Sequence, residues 1–314
     1  MKTLITGGNG NLGSRLLVPL VRRGDDVTIY DLSDSPLIPS PEHAKCRFVA
    51  GDLCDGESLE RVVADREISS IFHLGAILST QAEANPDLAW RVNMDGIRNV
   101  LEGARKGGAE KVLLSSTLAT YGAGLPTPLD IDSPMWPASL YGATKVASEV
   151  LGSYYHQRFG LDFRAVRLPS LIAASCAPGA AAGRFTSEVF TEAVRNGCYE
   201  FYLDPETSIP VVYIDDAIGA IVDLHDADAD RLTRRVYNIH TRGVSARELA
   251  AIVKARLPDV VISFKPDPVQ TAMVDSWPSS IEDGHAREDW GWQPRYSLEA
   301  MADQVIEDLQ KDSR

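Results

Sequence analysis

Apolar positions recur along this chain with two different periods, and the two alternate through its first half. Residues 4–5, 27–31, 46–53, 69–76 and 111–117 are short apolar runs that read as strands, the third ending at Asp52. Between them lie stretches with helical spacing. Residues 14–23 form one, closed by Gly24; residues 86–106 form a longer one, in which Leu88, Val92, Ile97, Val100, Leu101 and Ala104 share a face. Strands alternating with helices predict βαβ units and a parallel sheet, an α/β architecture. Residues 163–168 read as a further strand, after which the rhythm changes. Residues 173–183 are rich in Ala, Gly, Ser and Pro, and a helix follows over about 186–196. Residues 211–216 and 235–239 look like strands returning to the edge of the main sheet. Ser245, with Glu248 three residues on, opens a capped helix to Arg256, and residues 300–309 form a last amphipathic helix.

The opening stretch adds chemistry to this pattern. A strand runs into Gly7, Gly10 and Gly13, and a helix begins at about Leu12. One glycine turns the chain off the strand, a second admits backbone N–H groups to a pyrophosphate, and a third lets helix and strand pack closely. The helix start, with Asn11 and Leu12, then faces the phosphates with its partial positive charge. The second strand ends in Asp31, where a ribose-binding carboxylate belongs in a dinucleotide fold; a solvated strand end is the alternative. Together these features predict a Rossmann-type doubly wound parallel sheet that binds NAD. Its domain spans residues 1–168 plus about 211–243, and a smaller, discontinuous substrate domain takes about 169–210 plus 244–314.

Composition narrows the field. The formal net charge of −13 over 314 residues argues against nucleic acid or an anionic membrane as partner. Cys46, Cys54, Cys176 and Cys198 are scattered, with no apolar leader before Gly7 and no span-length apolar run, so a reducing cytoplasm is the expected setting. The six histidines and four cysteines show no metal-ligand spacing, so no catalytic metal is expected. His73, inside an apolar strand, reads as a packed structural histidine. Asp52 alone would read as a cap for the helix near Ser58. The small residues of Leu74-Gly-Ala76 let a backbone lie along a cofactor, and Leu168 at the next strand end joins that set.

The second chemical motif is Tyr141-Gly-Ala-Thr-Lys145, which sets Tyr141 and Lys145 on one face of a helix. An ammonium there binds nicotinamide ribose hydroxyls and lowers the phenol's pKa, so the phenolate takes a proton from a secondary alcohol while hydride leaves. Thr117, in a strand end carrying three hydroxyls, would bond and orient the substrate oxygen.

These motifs resemble the extended short-chain dehydrogenase/reductases, whose catalytic hydroxyl Thr117 matches in Ser115-Ser-Thr-Leu-Ala-Thr-Tyr-Gly122. Within that branch the chain is similar to the L-threonine 3-dehydrogenases related to UDP-galactose 4-epimerase. His73-Leu-Gly-Ala-Ile-Leu-Ser-Thr80, Asn85-Pro-Asp-Leu-Ala-Trp, Asp275-Ser-Trp-Pro-Ser-Ser and Ala286-Arg-Glu-Asp-Trp-Gly-Trp carry that similarity. The resemblance implies NAD, a small hydroxy acid substrate and Ser79 with Thr80 beside it. It further implies Asp52 and Leu53 at the adenine, Asn93 supporting the site, and a homodimer through a four-helix interface. The chain departs from the pattern after Pro178-Gly179, where the family's Thr-Thr-Asp becomes Ala182-Gly-Arg184. An arginine there favours a carboxylate or phosphate over an ammonium, as in sugar-acid (erythronate-like) dehydrogenases. Alternatively, Arg184 points to solvent or pairs with Glu188. A nucleotide-sugar epimerase or dehydratase is the main rival, and a non-catalytic NAD sensor the more distant one.

Overall fold

Both faces of the first five apolar runs are covered by helices, as a parallel sheet requires. In the computed structural model, which describes residues 1–175 and 184–312, the strands are β1 (Lys2–Thr6), β2 (Asp26–Asp31), β3 (Arg47–Ala50), β4 (Ser70–His73), β5 (Lys111–Thr117) and β6 (Asp162–Leu168). Six more follow: β7 (Ser170–Ile172), β8 (Cys198–Phe201), β9 (Ser208–Tyr213), β10 (Val236–Asn238), β11 (Arg242–Ser245) and β12 (Val261–Phe264). The main sheet has seven strands in the order β10-β6-β5-β4-β1-β2-β3, each neighbouring pair parallel. This is a Rossmann-like doubly wound sheet.

Strand alternation sends neighbouring side chains to opposite faces. Ile5, Phe72 and Leu113 face a core shared with α1 (Asn11–Arg22). Leu4, Ile71, Val112 and Leu114 face one shared with α2 (Gly56–Asp65), which is capped by Asp55 rather than Asp52. The long helical pattern at 86–106 is realised with an interruption. After α3 (Ser79–Ala84) come α4 (Pro86–Trp90), a π turn over Arg91–Asp95, and α5 (Gly96–Gly107). α6 (Leu140–Phe159) starts at Ser139, whose side chain accepts from Gly142 N.

One strand departs from expectation. Residues 235–239 return to the main sheet as β10, which occupies the outer edge of β6, but β9 does not join it. Instead β9 pairs with β7 and β11 in a three-stranded sheet. The edge place beside β6 is already filled, and Ile209, Val211 and Tyr213 of β9 need a second core. Val212, pointing the other way, packs against the first.

That second core gathers α7 (Phe185–Asn196), which follows Arg184, and α9 (Ala246–Arg256), which begins with the expected Ser245–Glu248 capping box. Between them in sequence, α8 (Ile214–Asp226) packs beside α1 on the main sheet. α10 (Pro268–Asp275) and α12 (Leu298–Asp312) complete the second core, but Ala286 of α11 (Gly284–Trp290) and Trp292 pack on the main sheet. The 244–314 stretch is therefore shared between the two cores. The stretch 176–183, with Cys176, Ala182 and Gly183, lies outside the described residues.

Candidate active site

The dinucleotide end of the site is made mostly of backbone. Gly7 has φ +70°, and its N–H bonds Tyr30 O at 3.0 Å. A Cβ there would lie 2.6 Å from the backbone of Gly75, so the β1 and β4 loops approach as only glycine permits. A Cβ on Gly13 would lie 2.4 Å from Gly7 O and 2.5 Å from Gly8 Cα, which is the helix–strand packing expected of the third glycine. Helix α1 has no side-chain cap, in contrast to α2, α6 and α9. Its first N–H groups are open to a ligand, and Gly10, Asn11, Leu12 and Gly13 all line one cavity of about 890 Å³.

Asp31 lines the same cavity, its carboxylate held by Asn9 N at 3.0 Å and Leu32 N at 2.8 Å. Asp52, exposed and accepting from Cys54 N at 2.9 Å, lines it with Leu53. Leu74, Gly75, Ala76 and Leu168 line it as well. A narrow cradle that a Cβ would fill, an uncapped helix start and a carboxylate at the second strand end together fit a dinucleotide. Asn9 is a hub that the sequence did not suggest: its backbone and side chain bond Leu37, Ser33 and His43, tying the loop after β2 over the glycines.

The residues expected to carry the reaction meet where β5 ends against α6. Thr117, Tyr141 and Lys145 line the cavity, and Tyr141 shares a hydrogen bond with Thr117. Lys145 is buried, donates to Ser115 O at 2.8 Å, and sits 5.8 Å from the centre of the Tyr141 ring. Burial pushes the Tyr141 phenol up to about 12, with the Thr117 bond working against it. Burial pushes Lys145 down to about 8, opposed by the charge of Glu149. His73 is structural as expected: it lies 2.7 Å from Thr6 Oγ1, and burial holds its imidazole neutral, with a pKa of about 3.

Asn93 is brought to the site's rear rather than into it. Its Oδ1 accepts from Ile77 N at 2.8 Å, and its Nδ2 donates to Ile77 O and to Thr144 Oγ1, both at 3.1 Å. Behind Lys145, Glu149 continues the same face of α6 and pairs with buried Arg167 at 2.7 Å, while Ser116 donates to its carboxylate. The Arg167 guanidinium also donates to Tyr121, and Tyr121 to Asn238 at 3.1 Å. The 141, 145, 149 spacing was the available signal for this network.

At the other end Ser79, Gln81, Ser187, Trp277 and Pro278 line the cavity, the last two arriving from the far C-terminal stretch. Thr80 is exposed and does not line it. For Arg184 the pairing with Glu188 is present, through Nε at 3.0 Å, and the side chain also borders the cavity while its guanidinium lies over the Tyr202 ring.

Known proteins match this arrangement along its length. A model of the NAD dependent epimerase/dehydratase family matches residues 3–239. The mitochondrial L-threonine 3-dehydrogenase of Bos taurus is 36% identical over 315 residues, spanning 100% of this chain and 84% of that protein. The solved holo form of a GalE-like L-threonine dehydrogenase from Cupriavidus necator is 34% identical with a TM-score of 0.90, covering 98% of this chain and 100% of its own. A monomeric L-threonine 3-dehydrogenase from a metagenome, in apo form, is 33% identical with a TM-score of 0.90, covering 99% and 100%.

Proposed function

Since the chain belongs to the NAD dependent epimerase/dehydratase family and takes NAD, we propose that it oxidises the β-hydroxyl of a small hydroxy acid or hydroxy amino acid, with Tyr141 as general base. The observation that carries this reading is the meeting of Thr117, Tyr141 and Lys145 in the cavity that the glycine cradle opens into. Bound NAD supplies the hydride acceptor. The glycine loop and the start of α1 would hold its pyrophosphate, Asp31 the adenosine ribose, Asp52 and Leu53 the adenine, and Lys145 the nicotinamide ribose.

Thr117 Oγ1 orients the substrate hydroxyl, and Tyr141 Oη takes its proton. Burial alone opposes that step, because it keeps the phenol protonated. The Thr117 hydrogen bond works the other way, and a protonated Lys145 on the same helix face adds a charge that favours the phenolate. Asn93 ties α6 to the loop at Ile77, the Glu149–Arg167 pair ties it to β6, and Ser116 on β5 donates to the same Glu149, which keeps these groups in register.

A cavity of about 890 Å³ lies inside the roughly 300–1,000 Å³ range of ordinary ligand pockets. With a dinucleotide in it, the remaining space suits a small acid better than a nucleotide sugar, which sets the epimerase reading second. Arg184 keeps that reading in play, since a diphosphate is also an anion. For assembly we propose a homodimer through α4–α6: Trp90, Val150 and Tyr154 are more than half exposed, at 55%, 60% and 51%. Sedimentation as a monomer at micromolar concentration removes the dimer, and the metagenome relative described as monomeric gives that outcome a precedent. No described helix is long and apolar enough to cross a membrane.

The test is NADH formation at mildly alkaline pH with L-threonine, 3-hydroxybutyrate, erythronate and a UDP-hexose offered side by side. Turnover of any of the first three is expected. Silence on all three with interconversion of the UDP-hexose transfers the chain to the epimerases.

A further inference from the structure

We infer that the substrate is a hydroxy acid with a carboxylate but no ammonium, and that Arg184 selects it; this rests on the dehydrogenase reading above. The argument is a census of charge. Among the described residues lining the cavity, the carboxylates are Asp31 and Asp52, and both stand at the dinucleotide end, Asp31 accepting from Asn9 N and Leu32 N and Asp52 from Cys54 N. The end near Ser79, Thr117, Tyr141 and Trp277 has no carboxylate among its described lining residues, but it has the cations Lys145 and Arg184.

Nearby acids are committed elsewhere. Glu188 binds Arg184 at 3.0 Å and accepts from Tyr199 at 3.3 Å, and it does not line the cavity. Glu83 accepts from Leu140 N at 2.9 Å, and Glu149 is buried against Arg167. Residues 176–183 read Cys-Ala-Pro-Gly-Ala-Ala-Ala-Gly, so no placement of that stretch adds a carboxylate side chain.

An ammonium entering this end sheds water, finds no counter-charge and meets a guanidinium. A carboxylate finds the reverse. Arg184 carries five N–H donors in a planar fork, of which the ion pair with Glu188 engages Nε and a hydrogen bond to Tyr202 engages a further one. The Tyr202 ring under the guanidinium, 5.4 Å from its centre, and Glu188 together hold the head in one orientation before ligand arrives.

The test separates binding from turnover. Butyrate and L-2-aminobutyrate lack the hydroxyl and cannot react, so calorimetry of the full chain with saturating NADH compares the amino group alone. Butyrate is expected to bind at least about tenfold more tightly, and 3-hydroxybutyrate to exceed L-threonine in kcat/KM by a similar factor. Arg184→Gln should raise KM for 3-hydroxybutyrate about tenfold with a smaller change in kcat, and Arg184→Lys should recover much of it. Equal or tighter binding of the amino compound, or binding of neither, overturns the inference. Failure of the parent reading is read separately, as binding of butyrate with no NADH from any hydroxy acid.

Discussion

The two ends of the cavity are made in different ways. At the proposed dinucleotide end the cavity wall is mostly backbone: the glycine turn, the uncapped start of α1 and the close pass of Gly7 by Gly75. At the proposed substrate end the wall is side chains carried by distant parts of the chain: Ser79 after β4, Thr117 on β5, Tyr141 on α6, Arg184 before α7 and Trp277 after α10. A backbone site tolerates no added carbon but is indifferent to most polar exchanges. A side-chain site can be rewritten one residue at a time without disturbing the fold, which is how one scaffold comes to serve several substrates.

The sharpest way to separate the two ends is Tyr141→Phe. Turnover should fall about 10²–10⁴-fold while NAD affinity, measured by calorimetry, stays within a few-fold of the parent. Loss of NAD binding to the same degree would mean the two ends are one structural unit. In the parent enzyme the pH profile carries the same message. The phenol, pushed up to about 12, is mostly protonated at neutral pH, so the oxidation rate should rise about tenfold per pH unit. Lys145, held near 8, loses its charge above that pH, so the rise should flatten there. A rate that falls from pH 6 to 8 contradicts both assignments.

The same contrast explains what the sequence made legible. A glycine that must have φ +70°, or must let backbones pass at van der Waals limits, announces itself by its spacing, as Gly7 and Gly13 do. Asp31 at a strand end and the Tyr141–Lys145 pair on one helix face are equally local, and so is the Ser245 cap. The resemblance to L-threonine 3-dehydrogenases was legible too, because its segments lie along most of the chain. Strand order was not local. Nothing within residues 211–216 tells that β10 would take the sheet edge and leave β9 to a second core. Ser79 and Thr80 illustrate a subtler limit: neighbours in sequence, they differ in the folded chain, Ser79 lining the cavity and Thr80 exposed outside it. Asn9 and Trp277 carried no periodic signal. Their roles depend on loops that meet only in the folded chain.

Gly13→Ala tests the backbone end next. The added methyl overlaps Gly7 O and Gly8 Cα, both backbone atoms that cannot swing away. Stability should drop by about 1–3 kcal/mol, and NAD affinity should fall further than in Tyr141→Phe. Parent-like affinity and melting temperature would show that the helix has room to retreat. Asp31→Asn keeps the shape and removes the charge. The loss of a charge-assisted bond to a ribose hydroxyl, about 1.5–3 kcal/mol, should weaken NAD by roughly ten- to a hundredfold and erode its preference over NADP. Unchanged selectivity would place the ribose elsewhere.

Asn93 belongs to neither end and joins them. One amide holds both backbone groups of Ile77, in the loop along the dinucleotide end, and the hydroxyl of Thr144, the neighbour of Lys145 on α6. It can do so because the π turn at Arg91–Asp95 adds a residue to the helix and aims that side chain inward. Asn93→Ala leaves the half-buried N–H and C=O of Ile77 without that partner, so stability should fall by about 1–2 kcal/mol. Turnover should fall several-fold with little change in KM, since no substrate contact is lost. Asn93→Asp still accepts from Ile77 N but cannot donate to Ile77 O or Thr144, and it should lie between alanine and the parent in melting temperature. If alanine lowers the melting temperature yet leaves kcat untouched, the amide only braces the fold, and the two ends of the cavity work without being held in register.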